Sequence, residues 1–274
     1  MSFPLPSSLS PSKVSSFKDC ALAFRFSAID KLPEPTSPAM VRGTLVHRAL
    51  ELLFWDEAAG HRTPAVAAEK LDQAWAEMQV DPEFVELALP VDDQTKFRDD
   101  ASTLLDNYFA IEDPNAVNAI GTELYLEVDL GGVKLRGIID RLDLTADGEL
   151  IVTDYKTGKA PRAAYENGRL GGVQFYAFLC EQVLGRRPKH IQLLHLAEPV
   201  AIISTPTEQS IRGLEQRATA VWRAIERACE REDFRPKPSG LCDYCSFKAY
   251  CPAFGGDPSL VVRDAAAVPV AIPA

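Results

Sequence analysis

No window of this chain approaches the roughly 18 consecutive apolar residues that a membrane-spanning helix needs. The opening Met1-Ser-Phe-Pro-Leu-Pro lacks a basic segment followed by an apolar run. A soluble cytoplasmic protein with no membrane association is therefore expected. No G-x-x-x-x-G-K-[ST] stretch occurs, so no ATP-driven motor is evident, and no internal repeat is visible. Positive charge is scarce: 29 Lys and Arg stand against 39 Asp and Glu, a formal charge of −10, which argues against a uniformly basic phosphate-binding surface. The deficit is local. Residues 51–130 hold 19 acids against 4 Lys and Arg, a balance of −15, whereas residues 155–190 hold 7 Lys and Arg against 2 acids, or +5. Six cysteines in an intracellular chain of 274 residues argue against a disulfide framework and point to a metal for any cluster among them.

The basic stretch begins where the chemistry is densest. Gly137-Ile-Ile-Asp140-Arg141 and Ile151-Val-Thr-Asp154-Tyr155-Lys156-Thr-Gly158 set two carboxylates and an amine on adjacent predicted strands. Two acids separated by a short hairpin can hold a hard cation, and a lysine two residues after the second acid points to the same face. A lone Asp-x-Lys is common by chance, so the surrounding residues carry the reading. Gly43-Thr-Leu-Val-His47 adds an imidazole that can complete a carboxylate shell, a mixture suited to Mn²⁺ and compatible with Mg²⁺. Gly43, one turn before His47, would admit a backbone or a phosphate.

Local signals outline the elements. Ser10 and Pro11 start a short helix that ends by delivering Cys20, and a second helix covers Met40 to Trp55. Two or three acidic-faced helices follow between Pro64 and Ala110. From Glu123 the apolar period changes to two. Gly131-Gly132 and Asp147-Gly148 then divide a three-strand antiparallel meander, with strands 133–144 and 150–157 after the first. A helix over 170–184, strands over 190–196 and 200–204, and a long helix from Pro206 to Arg231 complete an α/β pattern with mixed pairing. The Ala-, Pro- and Val-rich end reads as a loose tail.

Cys242-Asp-Tyr-Cys245-Ser-Phe-Lys-Ala-Tyr-Cys251 forms a C-x₂-C-x₅-C run that leaves a four-coordinate metal one ligand short. Cys20 can supply the fourth: it follows a short capped helix near the start, and Cys180 and Cys229 sit in helical patterns where a buried thiol is the ordinary explanation. Four thiolates serve zinc or an iron–sulfur cluster equally well.

In order, Cys20, Gly43-x₃-His47, Gly137-Ile-Ile-Asp140-Arg141, Asp154-Tyr155-Lys156 and the C-terminal cysteines resemble the RecB-like branch of the PD-(D/E)xK nucleases. More narrowly they resemble its iron–sulfur members, such as AddB-type recombination nucleases, exonuclease V and CRISPR-associated RecB-like exonucleases. The resemblance runs from about Ser10 to Cys251. It implies an α/β restriction-endonuclease-like core, a mixed central sheet flanked by helices, with a helical insertion and a C-terminal iron–sulfur segment. The expected organisation is one nuclease domain over 1–251, with the insertion at about 60–112, the catalytic core at about 120–205 and a flexible tail over 252–274.

By the same resemblance, Cys20, Cys242, Cys245 and Cys251 hold a [4Fe-4S] cluster that staples the chain ends. His47, Asp140, Asp154 and the Tyr155 carbonyl bind Mg²⁺ or Mn²⁺, and Lys156 positions the attacking water. Glu123 is the upstream glutamate, with Glu127 as the alternative. The family's later helix carries Gln and Tyr four residues apart, whereas here Gln174 is followed by Tyr176, so Gln174 alone is carried over. Lys159, Arg162 and Arg169 would track a strand's phosphates.

The expected activity is metal-dependent hydrolysis of phosphodiesters, as a single-strand exonuclease in DNA repair or recombination, with any unwinding supplied by a helicase partner. The alternatives are a non-catalytic DNA-binding or assembly module of a helicase–nuclease complex, against which the four intact reacting groups argue, and a zinc-stapled protein with an unrelated hydrolytic site.

Overall fold

Four helices begin on the same local device. Ser10-Pro11, Ser37-Pro38, Thr63-Pro64 and Asp81-Pro82 open α1 (Pro11–Asp19), α3 (Pro38–Asp56), α4 (Pro64–Met78) and α5 (Pro82–Glu86), and each capping oxygen accepts a backbone N–H of the first turn. Between them α2 (Ala21–Phe24) runs into a π-helical turn, Arg25–Ile29, and α6 (Val91–Ile111) follows. The computed structural model describes residues 3–160 and 166–261, with the backbone alone at 166–171 and 173. Arg162, the side chain of Arg169 and the tail beyond residue 261 lie outside the described residues.

A five-stranded mixed sheet carries the order β1 (Ala119–Leu130), β2 (Val133–Leu144), β3 (Leu150–Lys156), β4 (His190–His195), β5 (Val200–Ser204). Neighbours pair antiparallel except β3 with β4, which run parallel because the crossover helix α7 (Glu166–Leu184) lies between them in sequence. The helix α8 (Glu208–Arg231) comes last. β1 starts four residues before the expected Glu123, and α7 four before the expected residue 170, because terminal turns and strand ends carry little periodic signal.

The chain divides into two compact units, and each has its own packing. Thr36–Gln216 forms one. There α3, α4 and α6 bury Leu45, Leu53, Leu71, Leu105 and Tyr108 together with Tyr155, Leu194 and Leu196 of the sheet. This packing sets α3 against the end of β3.

The described residues of Met1–Pro35 and Arg217–Ala274 form the other unit. It is joined across the chain ends: Phe3 meets Phe234 edge-on at 5.4 Å, and Lys237 Nζ donates to the Lys18 carbonyl at 2.9 Å. Such long-range end-to-end contact leaves no local signature in the sequence. Pro252–Phe254 and Pro258–Leu260 form 3₁₀ turns, and Gly256 N–H donates to the Cys251 carbonyl at 2.9 Å.

Candidate active site

His47 reaches the sheet from α3, and the backbone of Tyr155 organises what it meets. His47 Nε2 lies 3.1 Å from the Tyr155 carbonyl oxygen. A carbonyl can only accept, so Nε2 carries the proton and Nδ1 presents its lone pair. Nδ1 faces Asp140 Oδ2 at 3.5 Å and Glu123 Oε1 at 3.9 Å. The N–H of Tyr155 donates to Asp140 Oδ2 at 2.6 Å. One peptide residue therefore holds two of the three groups. The ligand atoms of His47, Glu123 and Asp140 lie within 4.8 Å of one another, a constellation able to hold a metal ion.

Glu123 arrives by a local irregularity. Thr122 pairs with Arg141 and Leu124 with Ile139, which sets Glu123 opposite Asp140, and Glu123 itself has a φ of 44°. A glutamate in the left-handed region interrupts the ladder and re-aims its side chain. Glu127, the alternative, instead accepts from the Tyr125 hydroxyl at 2.6 Å.

Asp154 pairs with the lysine of its own strand. Its Oδ2 lies 2.5 Å from Lys156 Nζ, two residues along the same strand, while the trio around His47 forms without it. The Tyr155 carbonyl, expected as a ligand, is engaged by His47.

The electrostatics suit a cation. Burial, foremost, lowers the pKa of His47, with Lys156 adding to that and Asp154 and the Tyr155 hydrogen bond opposing it, so the imidazole is held neutral. Burial pushes Glu123 up to about 7, helped by the charges of Glu51 and Asp154 and opposed by Arg48. Asp140 is raised well above the usual carboxylate range by burial and then by Asp154 and Glu123, against the Tyr155 hydrogen bond and Lys156. Three acids thus face one ammonium and a neutral imidazole, a donor set short of positive charge that a hard divalent ion fits.

Two glycines of the motifs have steric reasons. A Cβ at Gly43 would meet Thr157 Oγ1 at 3.0 Å, so the helix comes close to the end of β3 rather than leaving a gap. A Cβ at Gly137 would meet Leu179 Cδ1 at 3.0 Å and Tyr176 Cε1 at 3.1 Å. Gly137 therefore admits α7, and α7 brings the Tyr176 hydroxyl to the Asp154 carboxylate. Burial, then the charges of Asp154 and Asp140, hold that hydroxyl protonated. The four-residue spacing rule passed over Tyr176; Gln174 lies half-buried on the same helix.

Behind the acids sits a buried arginine. Arg141 donates from Nε and Nη2 to both oxygens of Asp143 at 2.8 and 3.0 Å, from Nη2 to Thr153 Oγ1 at 3.1 Å and from Nη1 to the Tyr155 hydroxyl at 2.9 Å. It also pairs with Glu112 and stacks over Phe54 at 4.4 Å. In front of the acids a cleft of about 860 Å³ opens between Met40, Thr44, Arg48, Glu51, Glu123 and Gly158. Arg48 is held in it by Glu51 and Glu77, each at 2.8 Å.

In the other unit Cys20, Cys242, Cys245 and Cys251 are free and half-buried, and they line one cavity of about 450 Å³. Cys20 caps the start of α2, and Cys242 Sγ accepts from Ser239 N–H at 3.3 Å. The four thiols share this cavity, although among the described residues no three of their sulfurs lie within 4.8 Å of one another. Cys180 and Cys229 are buried, and burial pushes their thiols up to about 12 and about 11.

The family model for the PD-(D/E)XK nuclease superfamily matches residues 8–252. The chain is 24% identical over 270 residues to Gene 69 protein of Mycobacterium phage D29, covering 89% of this chain and 96% of that one. To Gene 69 protein of Mycobacterium phage L5 it is 27% identical over 135 residues, covering 48% and 44%. The crystal structure of a candidate exonuclease from Eubacterium rectale superposes with a TM-score of 0.53 at 12% identity, covering 87% of each chain, which is a likeness of fold.

Proposed function

The chain belongs to the PD-(D/E)XK nuclease superfamily, and from that premise we propose that it is a metal-dependent DNA nuclease that degrades single strands from an end, in DNA repair or recombination. The observation that carries the reading is the His47, Glu123 and Asp140 trio beside the Asp154–Lys156 pair. His47, Glu123 and Asp140 would hold Mg²⁺ or Mn²⁺, with Asp154 completing the site once Lys156 turns to substrate. A cation bound there would acidify a water and offset charge building on the phosphate. The chain's own groups do the rest. Lys156 Nζ, once released from Asp154, donates to the attacking water, and the Tyr176 hydroxyl steadies Asp154. The water gives up a proton to solvent as its oxygen bonds to phosphorus, the bridging P–O bond breaks, and the leaving oxygen takes a proton from solvent.

Lys159, exposed just beyond β3, is assigned to the phosphates of the incoming strand, and Gln174 to positioning from α7. Cys20, Cys242, Cys245 and Cys251 would hold a [4Fe-4S] cluster as a structural tie within their unit. The absence of a phosphate-cradling G-x-x-x-x-G-K-[ST] motif assigns any unwinding to a helicase partner. Among the described residues no helix is long and apolar enough to cross a membrane. The free thiols suit a reducing cytoplasm.

The test is degradation of end-labelled single-stranded DNA by anaerobically purified protein with Mg²⁺, Mn²⁺ or chelator, beside Asp154→Ala and Lys156→Ala. Metal-dependent shortening lost in both variants supports the nuclease and reports its polarity. DNA binding without cleavage in either metal overturns it in favour of an assembly module.

A further inference from the structure

The trio's two carboxylates continue along the same two strands into an uncovered apolar pair. Glu123 on β1 falls between the pairs Thr122–Arg141 and Leu124–Ile139, beside Asp140 on β2, and the pair Tyr125 opposite Ile138 follows, with Ile138 two residues from Asp140 on the same face of β2. Burial on β2 alternates accordingly: Ile139 and Arg141 are fully buried, Asp140 is partly covered, and Ile138 is exposed. Tyr125 and Ile138 are 51% and 48% exposed. Single apolar residues on a surface are ordinary, but these two are directly paired. They lie about 7 Å from the acids, the spacing of alternate residues on a strand.

The ring is also held in place. The Tyr125 hydroxyl donates to Glu127 at 2.6 Å, and Arg136 approaches the same hydroxyl from β2. An anchored aromatic face beside an aliphatic one, with a guanidinium at its edge, matches a nucleobase with its phosphate attached.

We propose that Tyr125 and Ile138 form a stacking platform for the unpaired base adjoining the scissile phosphate, which makes them specificity determinants for single-stranded over duplex DNA. The occupant follows from continuity: whatever phosphate lies at Glu123 and Asp140 carries its own base one strand-repeat away. A base inside a duplex already has both faces stacked and cannot lie on the platform, whereas an unpaired base can. Stacking is indifferent to base identity, so the platform selects strandedness without selecting sequence. This inference rests on the nuclease reading for its substrate.

The experiment uses the full chain, purified anaerobically, with oligonucleotides that are intact or carry abasic residues at either end, and with blunt duplexes. Cleavage is followed in Mg²⁺ or Mn²⁺, and binding separately in Ca²⁺. Tyr125→Ala is expected to weaken both for the intact single strand by about tenfold. It adds no loss where the terminal bases are absent, and it lowers the ratio of single-strand to duplex cleavage. Tyr125→Phe, which keeps the ring, should retain most of the wild-type preference. An equal loss on intact and abasic strands, or no loss on either, overturns the platform. If the wild type cuts nothing, the nuclease reading fails instead, and the Ca²⁺ binding series still decides the platform by the same comparison.

Discussion

Arg141 and Tyr155 are joined by a hydrogen bond of 2.9 Å on the buried side of the sheet, although each is the chain neighbour of an acid that faces the candidate site. Arg141 follows Asp140 and Tyr155 follows Asp154, so alternation along the strands places the network behind and the carboxylates in front. Thr153, paired with Arg141 across β2 and β3, extends the same clamp.

Replacing Arg141 therefore tests both stability and site geometry. Arg141→Met leaves Asp143 buried without its bidentate partner, which costs about 3–5 kcal/mol. The Tm should fall by on the order of 10 °C. Metal affinity should fall with it, because the spacing of Asp140 and Asp154 depends on the β2–β3 register. A protein that melts at the wild-type temperature would show the network to be dispensable.

Close approach at Gly137 makes a second prediction. Gly137→Val sets methyl groups against Leu179 and Tyr176, already at 3.0 and 3.1 Å from a Cβ. Overpacking of this kind costs about 1–3 kcal/mol. The resulting shift of α7 withdraws the Tyr176 hydroxyl from Asp154, so metal-dependent cleavage should fall further than the melting temperature alone explains. Tyr176→Phe is the control. It removes the hydroxyl without the clash, and it should lower cleavage while costing no more than about 1.5 kcal/mol in stability.

These two sites mark what was legible in the chain. Capping by Ser10, the hairpin at Gly131-Gly132 and the pairing of the Asp140 strand with the Asp154 strand all depend on neighbours in sequence, and they could be read directly. Glu123 is implied by the resemblance to RecB-like nucleases, but its φ of 44° is not, since strict alternation assumes an extended backbone. Tyr176 was hidden for a different reason. Helical spacing compares residues of one helix with each other, whereas the partner of Tyr176 is set by how near Gly137 lets that helix approach. The division into two units was equally hidden, because contacts such as Phe3 with Phe234 span nearly the whole chain.

The raised carboxyls give metal binding a pH dependence. Glu123, at about 7 in the folded protein against an ordinary 4.5, is more stable protonated. In the metal-free protein its contribution to stability is present below pH 4.5 and is lost as pH rises through 7. A divalent ion replaces that proton, so affinity should strengthen across the same interval. The rise in Tm on adding Mg²⁺ or Mn²⁺ should be larger at pH 8 than at pH 6, and Glu123→Gln should shrink the difference. Equal shifts at both pH values in the wild type would separate Glu123 from the metal.

The cysteines divide by environment in a way that alkylation can read. Cys180 and Cys229, pushed up to about 12 and about 11, carry roughly a thousandth or less of thiolate at pH 8, and burial shields them as well. Cys20, Cys242, Cys245 and Cys251 are half-buried around an open cavity. Iodoacetamide applied to native, metal-stripped protein at pH 8 should therefore modify the four cavity thiols and spare the other two. Reconstitution with iron and sulfide should protect those four together, because a shared cluster commits every thiolate at once. Denaturant should expose all six, as counted by mass spectrometry. Protection of only some of the four after reconstitution, or an equal protection by zinc with no bound iron, would exclude the cluster and leave the unit tied by zinc or by packing alone.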